Sequence, residues 1–242
     1  MNSDDKTRAI VLKAIKYGDN SLIVKLLTKQ NGLQSFLIKS AFNKNAKIRA
    51  ALFQPLTMLD VVSFKSHGEL SYLKEASIEY AFKSIPYDIK KSAIVLFISE
   101  LISKSIQEGQ TDIELFHFIH HAIKHLDDMS GSCADFPLRF TIELSRHLGF
   151  APNINNYKEG YIFDLENGCF TPNNANILYL VDHQYCSIFY KLCSINFFDV
   201  NTLYLKNEER RQLLDYMIAY FQLHVSGFND IKSNEILKTV LQ

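Results

Sequence analysis

The feature that most constrains this chain is a change of hydrophobic period near residue 81. Before it, apolar residues alternate with polar ones in short bursts; after it, they recur every three to four residues. A strand changes face at each residue, whereas a helix returns to the same face about every 3.6 residues. The two halves therefore cannot share one architecture. The expected fold class is α+β: a five-stranded barrel domain over 1–80, then a helical domain over 81–242 with a small inserted β-hairpin at about 150–176.

The first half reads as five strands. Residues 8–16 and 21–28 are apolar and β-branched, with Gly18-Asp19-Asn20 as turn chemistry between them. Leu22, Val24 and Leu26 share one face, the expected core side. Asn31-Gly32 supplies positive-φ positions for a hairpin into a third strand at 33–39. A polar, basic stretch at 43–51 interrupts the pattern. A fourth strand follows at about 52–64, where Pro55 implies an edge or a strand beginning. Ser66-His67-Gly68 turns the chain into a fifth strand at 70–80. Five short antiparallel strands with a break after the third fit an OB-type barrel. An SH3-like barrel has the same count and stays open.

The second half reads as helices. Ile94, Phe97, Ile98, Leu101 and Ile102 form a stripe within a helix at 89–107. Thr111-Asp-Ile-Glu114 is a capping-box sequence for a helix to about 127. A third helix at 136–148 stops at Gly149. A hairpin at 161–170 turns at Glu166-Asn-Gly168. Helical patterns resume at 182–194, from Asn207 as N-cap to Gly227, and at 232–240.

Composition narrows the class. The chain has 242 residues, 47% hydrophobic and 21% charged, which excludes disordered and low-complexity classes. The longest apolar runs, such as 93–98, fall far short of the roughly 20 residues that cross a bilayer. The N-terminus has no apolar signal-peptide core, so a cytoplasmic location is expected. Cys133, Cys169, Cys186 and Cys193 form no C-x-x-C pair and are expected to be reduced and mostly buried.

The net charge of zero conceals a division. Residues 1–80 hold 12 Lys and Arg against 7 Asp and Glu, and 81–242 hold 14 against 19. Lys39, Lys44, Lys47 and Arg49 concentrate where a five-stranded barrel exposes a groove, and Lys13, Lys16 and Lys25 extend that surface. Phe42 either stacks on a base or covers the barrel. Lysines so placed hold nucleic-acid backbone, or they keep a β-rich domain soluble. An RNA-binding barrel and a protein-interaction scaffold are the other functions that fit.

His117, His121 and His125 recur four residues apart but oppose the apolar side of Leu115, Phe118, Ile119, Ala122 and Leu126. They read as a solvated face, not a metal stripe. No nucleophile elbow, phosphate-binding loop or zinc-protease motif is present, and no catalytic residue is assigned.

The segment Tyr17-Gly-Asp-Asn-Ser-Leu-Ile-Val-Lys-Leu-Leu-Thr28 followed by Gly32, the step Lys39-Ser-Ala41, the basic loop, Leu52-Phe-Gln-Pro-Leu56 and Leu70-Ser-Tyr-Leu-Lys-Glu75 come in a recognisable order. Weaker echoes follow at Arg139, at Leu148-Gly149-Phe150 and from His224 to Ser233. This order resembles the RecO family of bacterial recombinational repair proteins, with Ser40 in place of the family's usual Gly. The resemblance implies a non-enzymatic mediator of DNA repair and homologous recombination. Such a mediator binds single- and double-stranded DNA, anneals complementary strands and loads RecA recombinase with RecR, in a cytoplasmic, nucleoid-associated setting. It also implies a groove in the helical domain for the acidic, Phe-ended tail of single-stranded DNA-binding protein, with Arg139, Arg146, Arg210 or Arg211 as its basic rim. Many members carry two C-x-x-C pairs that bind zinc after the Leu-Gly segment. Here that region reads Asn153-Ile-Asn-Asn-Tyr157, and only Cys169 stands near a ligand position. No zinc and no other cofactor is expected, and the hairpin at 161–170 must hold by packing.

Overall fold

Glycine closes the first two hairpins. Gly18 (φ 61°) and Gly32 (φ 65°) take the left-handed backbone that joins β1 (Asp5–Tyr17) to β2 (Ser21–Thr28), and β2 to β3 (Gly32–Ile38). The Thr28 hydroxyl accepts from Asn31 N–H at 3.1 Å and donates to the Gly32 carbonyl at 2.9 Å. A Cβ on residue 32 would lie 1.9 Å from the Gln110 carbonyl oxygen, so only glycine fits there. The computed structural model describes residues 5–64, 71–173, 178–199 and 203–241.

With β4 (Met58–Phe64) and β5 (Ser71–Tyr80), the strands close a barrel in the order β1-β2-β3-β5-β4. The β3–β5 pair is parallel, with Phe36 opposite Ser71 and Leu37 opposite Tyr72. A five-stranded barrel closed in this order is OB-type, which resolves the choice that strand count left open. The fourth strand begins at Met58 instead of near 52. Ala50–Leu52 form a short 3-10 turn, and Leu56 turns the backbone at φ 57° to donate its N–H to the Val11 carbonyl at 2.7 Å. The expected Ser66-His67-Gly68 turn and the start of the fifth strand at 70 lie outside the described residues. Alternation along the strands delivers Val11, Leu22, Val24, Leu26, Phe36, Leu59 and Val61 to the interior, where Ala41, Ile48 and Phe53 complete the core.

The chain divides into two compact units, Met1–Ser130 and Gly131–Gln242. The change of period near 81 thus marks the end of the barrel, while the compact unit runs on through two helices. In α1 (Ile89–Ser105), Ile94, Phe97, Ile98, Leu101 and Ile102 are fully buried, as their spacing predicts. Its cap is Asp88, whose carboxylate accepts from the N–H groups of Lys90 and Lys91. For α2 (Ile113–Asp128) the cap is Asp112, not Thr111: Asp112 accepts from Leu115 N–H at 2.9 Å.

The end of α2 is tied to the link before α1. Asp127 accepts from the N–H groups of Lys83, Ser84 and Ile85 at 2.8–2.9 Å. Burial would push this carboxyl up, but the three N–H donors outweigh it and hold the group below its ordinary 3.8. Beside it, the buried Lys91 ammonium donates to the carbonyls of Asp127 (3.0 Å) and Met129 (2.6 Å) and to the Ser84 hydroxyl (2.7 Å).

The second unit contains α3 (Phe136–His147), β6 (Tyr161–Asp164), β7 (Cys169–Pro172), β8 (Leu180–Val181), α4 (His183–Ser194), α5 (Asn207–His224) and α6 (Ser233–Val240). The expected hairpin is β6–β7, and its sheet has a third strand, in the order β7-β6-β8. At two residues, β8 is too short to leave a periodic signal. Lys206, rather than Asn207, occupies the N-cap of α5. Aromatic packing holds the hairpin: the Phe163 ring lies 5.1 Å from Phe170 and 4.8 Å from Phe189, and Tyr157 stacks on Tyr190 at 4.1 Å. Cys169 is half-buried and free, and a single thiol does not make the four-donor set a structural zinc requires.

Candidate nucleic-acid interface

The basic segment between β3 and β4 is anchored at both ends. Ser40 turns the backbone at φ 57°, a left-handed conformation that glycine adopts more easily. Backbone bonds from Asn43 N–H to the Ser40 carbonyl, Ala46 to Asn43 and Ala50 to Ala41 fold the segment on itself at 3.0–3.1 Å. Ala41 and Ile48 insert into the barrel core. Around these anchors Lys39, Phe42, Lys44, Lys47 and Arg49 are all exposed. Phe42 is 48% exposed, so it does not serve as a cover for the barrel.

Strand β1 brings Lys16 to the same place, with its ammonium 5.9 Å from the centre of the Phe42 ring. Lys44 and Arg49 make no ion pair among the described residues, and Lys47 makes one exposed pair with Glu75 at 3.6 Å. An exposed pair of this kind contributes little, about 0–1 kcal/mol, and exchanges readily for phosphate.

Lys13 and Lys25 form a second group, opposite one another in the β1–β2 ladder. Lys25 pairs with Glu108 at 3.1 Å, and the Ser35 hydroxyl donates to the same carboxylate at 2.9 Å. Burial would raise the Glu108 carboxyl, but the Lys25 and Ser35 hydrogen bonds outweigh it and hold the group below 4.5. The charge of Lys25 is therefore compensated within the protein, while that of Lys13 faces solvent.

Two residues that the sequence reading missed complete this surface. Phe64 and Tyr72 are cross-strand neighbours, and with Lys39, Asn43, Asn45 and Lys47 they line a cleft of about 400 Å³.

The four arginines considered for partner contact are each bound within the second unit. Arg139 donates to the carbonyls of Asn196 (3.0 Å), Phe197 (2.8 Å) and Asp199 (2.8 Å). Arg146 bonds Glu143 and the Cys193 carbonyl. Arg210 pairs with Asp135 at 2.6 Å, and Arg211 donates to the Lys238 carbonyl at 2.7 Å. Only Arg210 and Arg211 come together, at a shallow apolar depression lined by Pro137, Leu138, Leu214, Leu237 and Leu241. The Nε of Arg211 is buried there with no hydrogen-bond partner among the described residues.

On α2, His121 and His125 are exposed and His117 half-buried. Among the described residues no group of three or more His, Cys, Asp or Glu is placed to hold a metal ion. The buried histidine is His120, whose Nε2 lies 3.2 Å from Glu79. Among the described residues no helix is long and apolar enough to cross a membrane.

Comparison with known proteins places most of the chain in one family. Residues 1–82 match the family described as Recombination protein O N terminal, and residues 86–235 match Recombination protein O C terminal. The DNA repair protein RecO of Flavobacterium psychrophilum is 40% identical over 237 residues, covering 97% of this chain and 98% of that protein. Those of Flavobacterium johnsoniae and Bacteroides fragilis are 35% and 34% identical, with 97% and 96% of this chain and 98% and 97% of theirs covered. With both family domains present in order and relatives matched nearly end to end, the chain belongs to the RecO family of DNA repair proteins.

Proposed function

We propose that this protein is a non-enzymatic mediator that binds single- and double-stranded DNA through its barrel, anneals complementary strands, and helps load recombinase onto coated single strands together with RecR. The observation that carries this reading is the anchored segment 39–49: its backbone is held by Ala41 and Ile48, while its cations face solvent. Lys16, Lys39, Lys44, Lys47 and Arg49 release counterions when they meet phosphates, giving affinity that is independent of sequence and falls with salt. Annealing asks for little more than this, because neutralised phosphates let two strands approach. Cytoplasmic, nucleoid-associated work follows from such a substrate.

Filter binding of single-stranded DNA, duplex DNA and RNA across a salt series tests the reading. DNA affinity is expected to fall steeply with salt. Reversing charge at Lys44, Lys47 and Arg49 together lowers it by about a hundredfold and flattens the salt slope. Unchanged binding removes these residues from the site; tighter binding of RNA favours an RNA-binding barrel; binding of neither favours a scaffold.

A second contact is favoured by the depression beside Arg210 and Arg211. An apolar depression edged by two arginines is where the acidic, Phe-ended tail of single-stranded DNA-binding protein would lie against the surface.

A further inference from the structure

Phe64 and Tyr72 stack across the β4–β5 ladder with ring centres 5.5 Å apart and planes 13° from parallel. Neither ring belongs to the barrel core or packs among the residues bordering it. An aromatic pair outside the core, in a cleft edged by lysines, needs another reason to be there. The Lys39 ammonium lies 5.1 Å from the centre of the Tyr72 ring. Asn43, Asn45 and Lys47 line the same space of about 400 Å³, a size that suits one small planar group.

We propose, building on the DNA-binding reading above, that this cleft takes an unpaired nucleobase stacked on Tyr72, with the flanking phosphates on Lys39 and Lys47. Phe64 is the positioning residue that holds the Tyr72 ring in place. Every base has a π-face, so stacking adds affinity without selecting sequence. In a duplex the base faces are closed by their neighbours, so the cleft discriminates by strandedness. Lys39 moves from ring to phosphate as the base arrives, because a cation–π contact at an exposed site is weak and the lysine stem is flexible. Lys47 exchanges Glu75 for phosphate in the same way. Phosphate contacts alone would hold any strand; the ring is what makes a base count.

The test compares an oligothymidylate with an abasic deoxyribose-phosphate strand of equal length, each bound to the full chain at fixed salt. The wild-type protein is expected to bind the thymidylate about tenfold more tightly. In Tyr72→Leu this ratio falls to near one, while abasic-strand affinity and its salt slope are kept; Tyr72→Phe restores the ratio. A ratio unchanged in Tyr72→Leu overturns the proposal, and so does an equal loss on both strands. Photo-cross-linking of the wild-type protein to a 5-iodouracil oligonucleotide needs no variant to fold: a cross-link at Tyr72 supports the cleft, and cross-links confined elsewhere overturn it. If the wild-type protein binds thymidylate and abasic strands equally, this inference fails and the DNA-binding reading stands; if it binds neither, both fail.

Discussion

In the barrel, Lys44 and Arg49 make no ion pair among the described residues, whereas in the second unit Arg139 donates to three backbone carbonyls of its own chain. Both sets are cations at loops and element ends, and both were candidates for binding a partner. Their employment differs because of what surrounds them. Segment 39–49 is folded by backbone turns and by two buried apolar anchors, which leaves Lys44 and Arg49 without ion pairs among the described residues. The carbonyls of Asn196, Phe197 and Asp199 lie outside any helix, and Arg139 donates to all three, although Asn196 also accepts from Asp199 N–H. Burial pulls the Arg139 guanidinium below its ordinary value, with Asp135, Asp199 and Glu143 opposing that effect. A cation that completes the fold is poorly available to a ligand.

This contrast can be broken by substitutions that should act on stability and leave DNA binding alone, or the reverse. The largest stability effect is expected for Lys91→Met, which deprives two carbonyls of a buried ammonium and should cost about 3 kcal/mol. Urea unfolding measures that cost, and DNA affinity at moderate urea-free conditions should stay within about twofold. Arg139→Met comes next, at about 2 kcal/mol, because two of its three hydrogen bonds are exposed to water. A fall in DNA affinity without loss of stability in either variant would abolish the distinction.

The histidines of α2 repeat the contrast with a pH readout. Burial holds the His120 ring below its ordinary 6.5, against the pull of Glu79, while His121 and His125 are exposed. As pH falls, the unfolded chain takes up this proton before the folded one does. The stability from neutral His120 is therefore full above about pH 6.5 and is lost as pH falls toward the folded value. Unfolding midpoints at pH 7.5 and 5.5 should differ less in His120→Gln than in the wild-type protein. The smallest effect is expected for Glu75→Gln. Freeing Lys47 from its exposed pair should raise DNA affinity about two- to threefold at low salt and hardly at all at high salt.

The barrel was legible because its strands carry their own evidence. Leu22, Val24 and Leu26 alternate cleanly, and Gly18 and Gly32 mark turns that need positive φ. The stripe in α1 was legible for the same reason. Boundaries were read less well where a non-periodic residue decides them, as at Leu56 before β4, Asp112 before α2 and Lys206 before α5. Of the candidate site, the exposed loop cations were legible because charge is visible in a sequence. Tyr72 and Phe64 were missed because an aromatic in a strand normally signals core, and only the ladder register brings these two together outside it.

Local pattern by itself determined the class of each half, the position of the basic segment and the absence of four zinc donors near the hairpin, since period, charge and ligand count are properties of the chain. The tertiary structure decided the barrel's strand order, the extension of the first compact unit to Ser130, and above all which cations are available. That last point has a plain physical cause: whether a charged side chain serves the fold or a ligand depends on unmet backbone donors and acceptors nearby, and those are known only once the chain has folded around them.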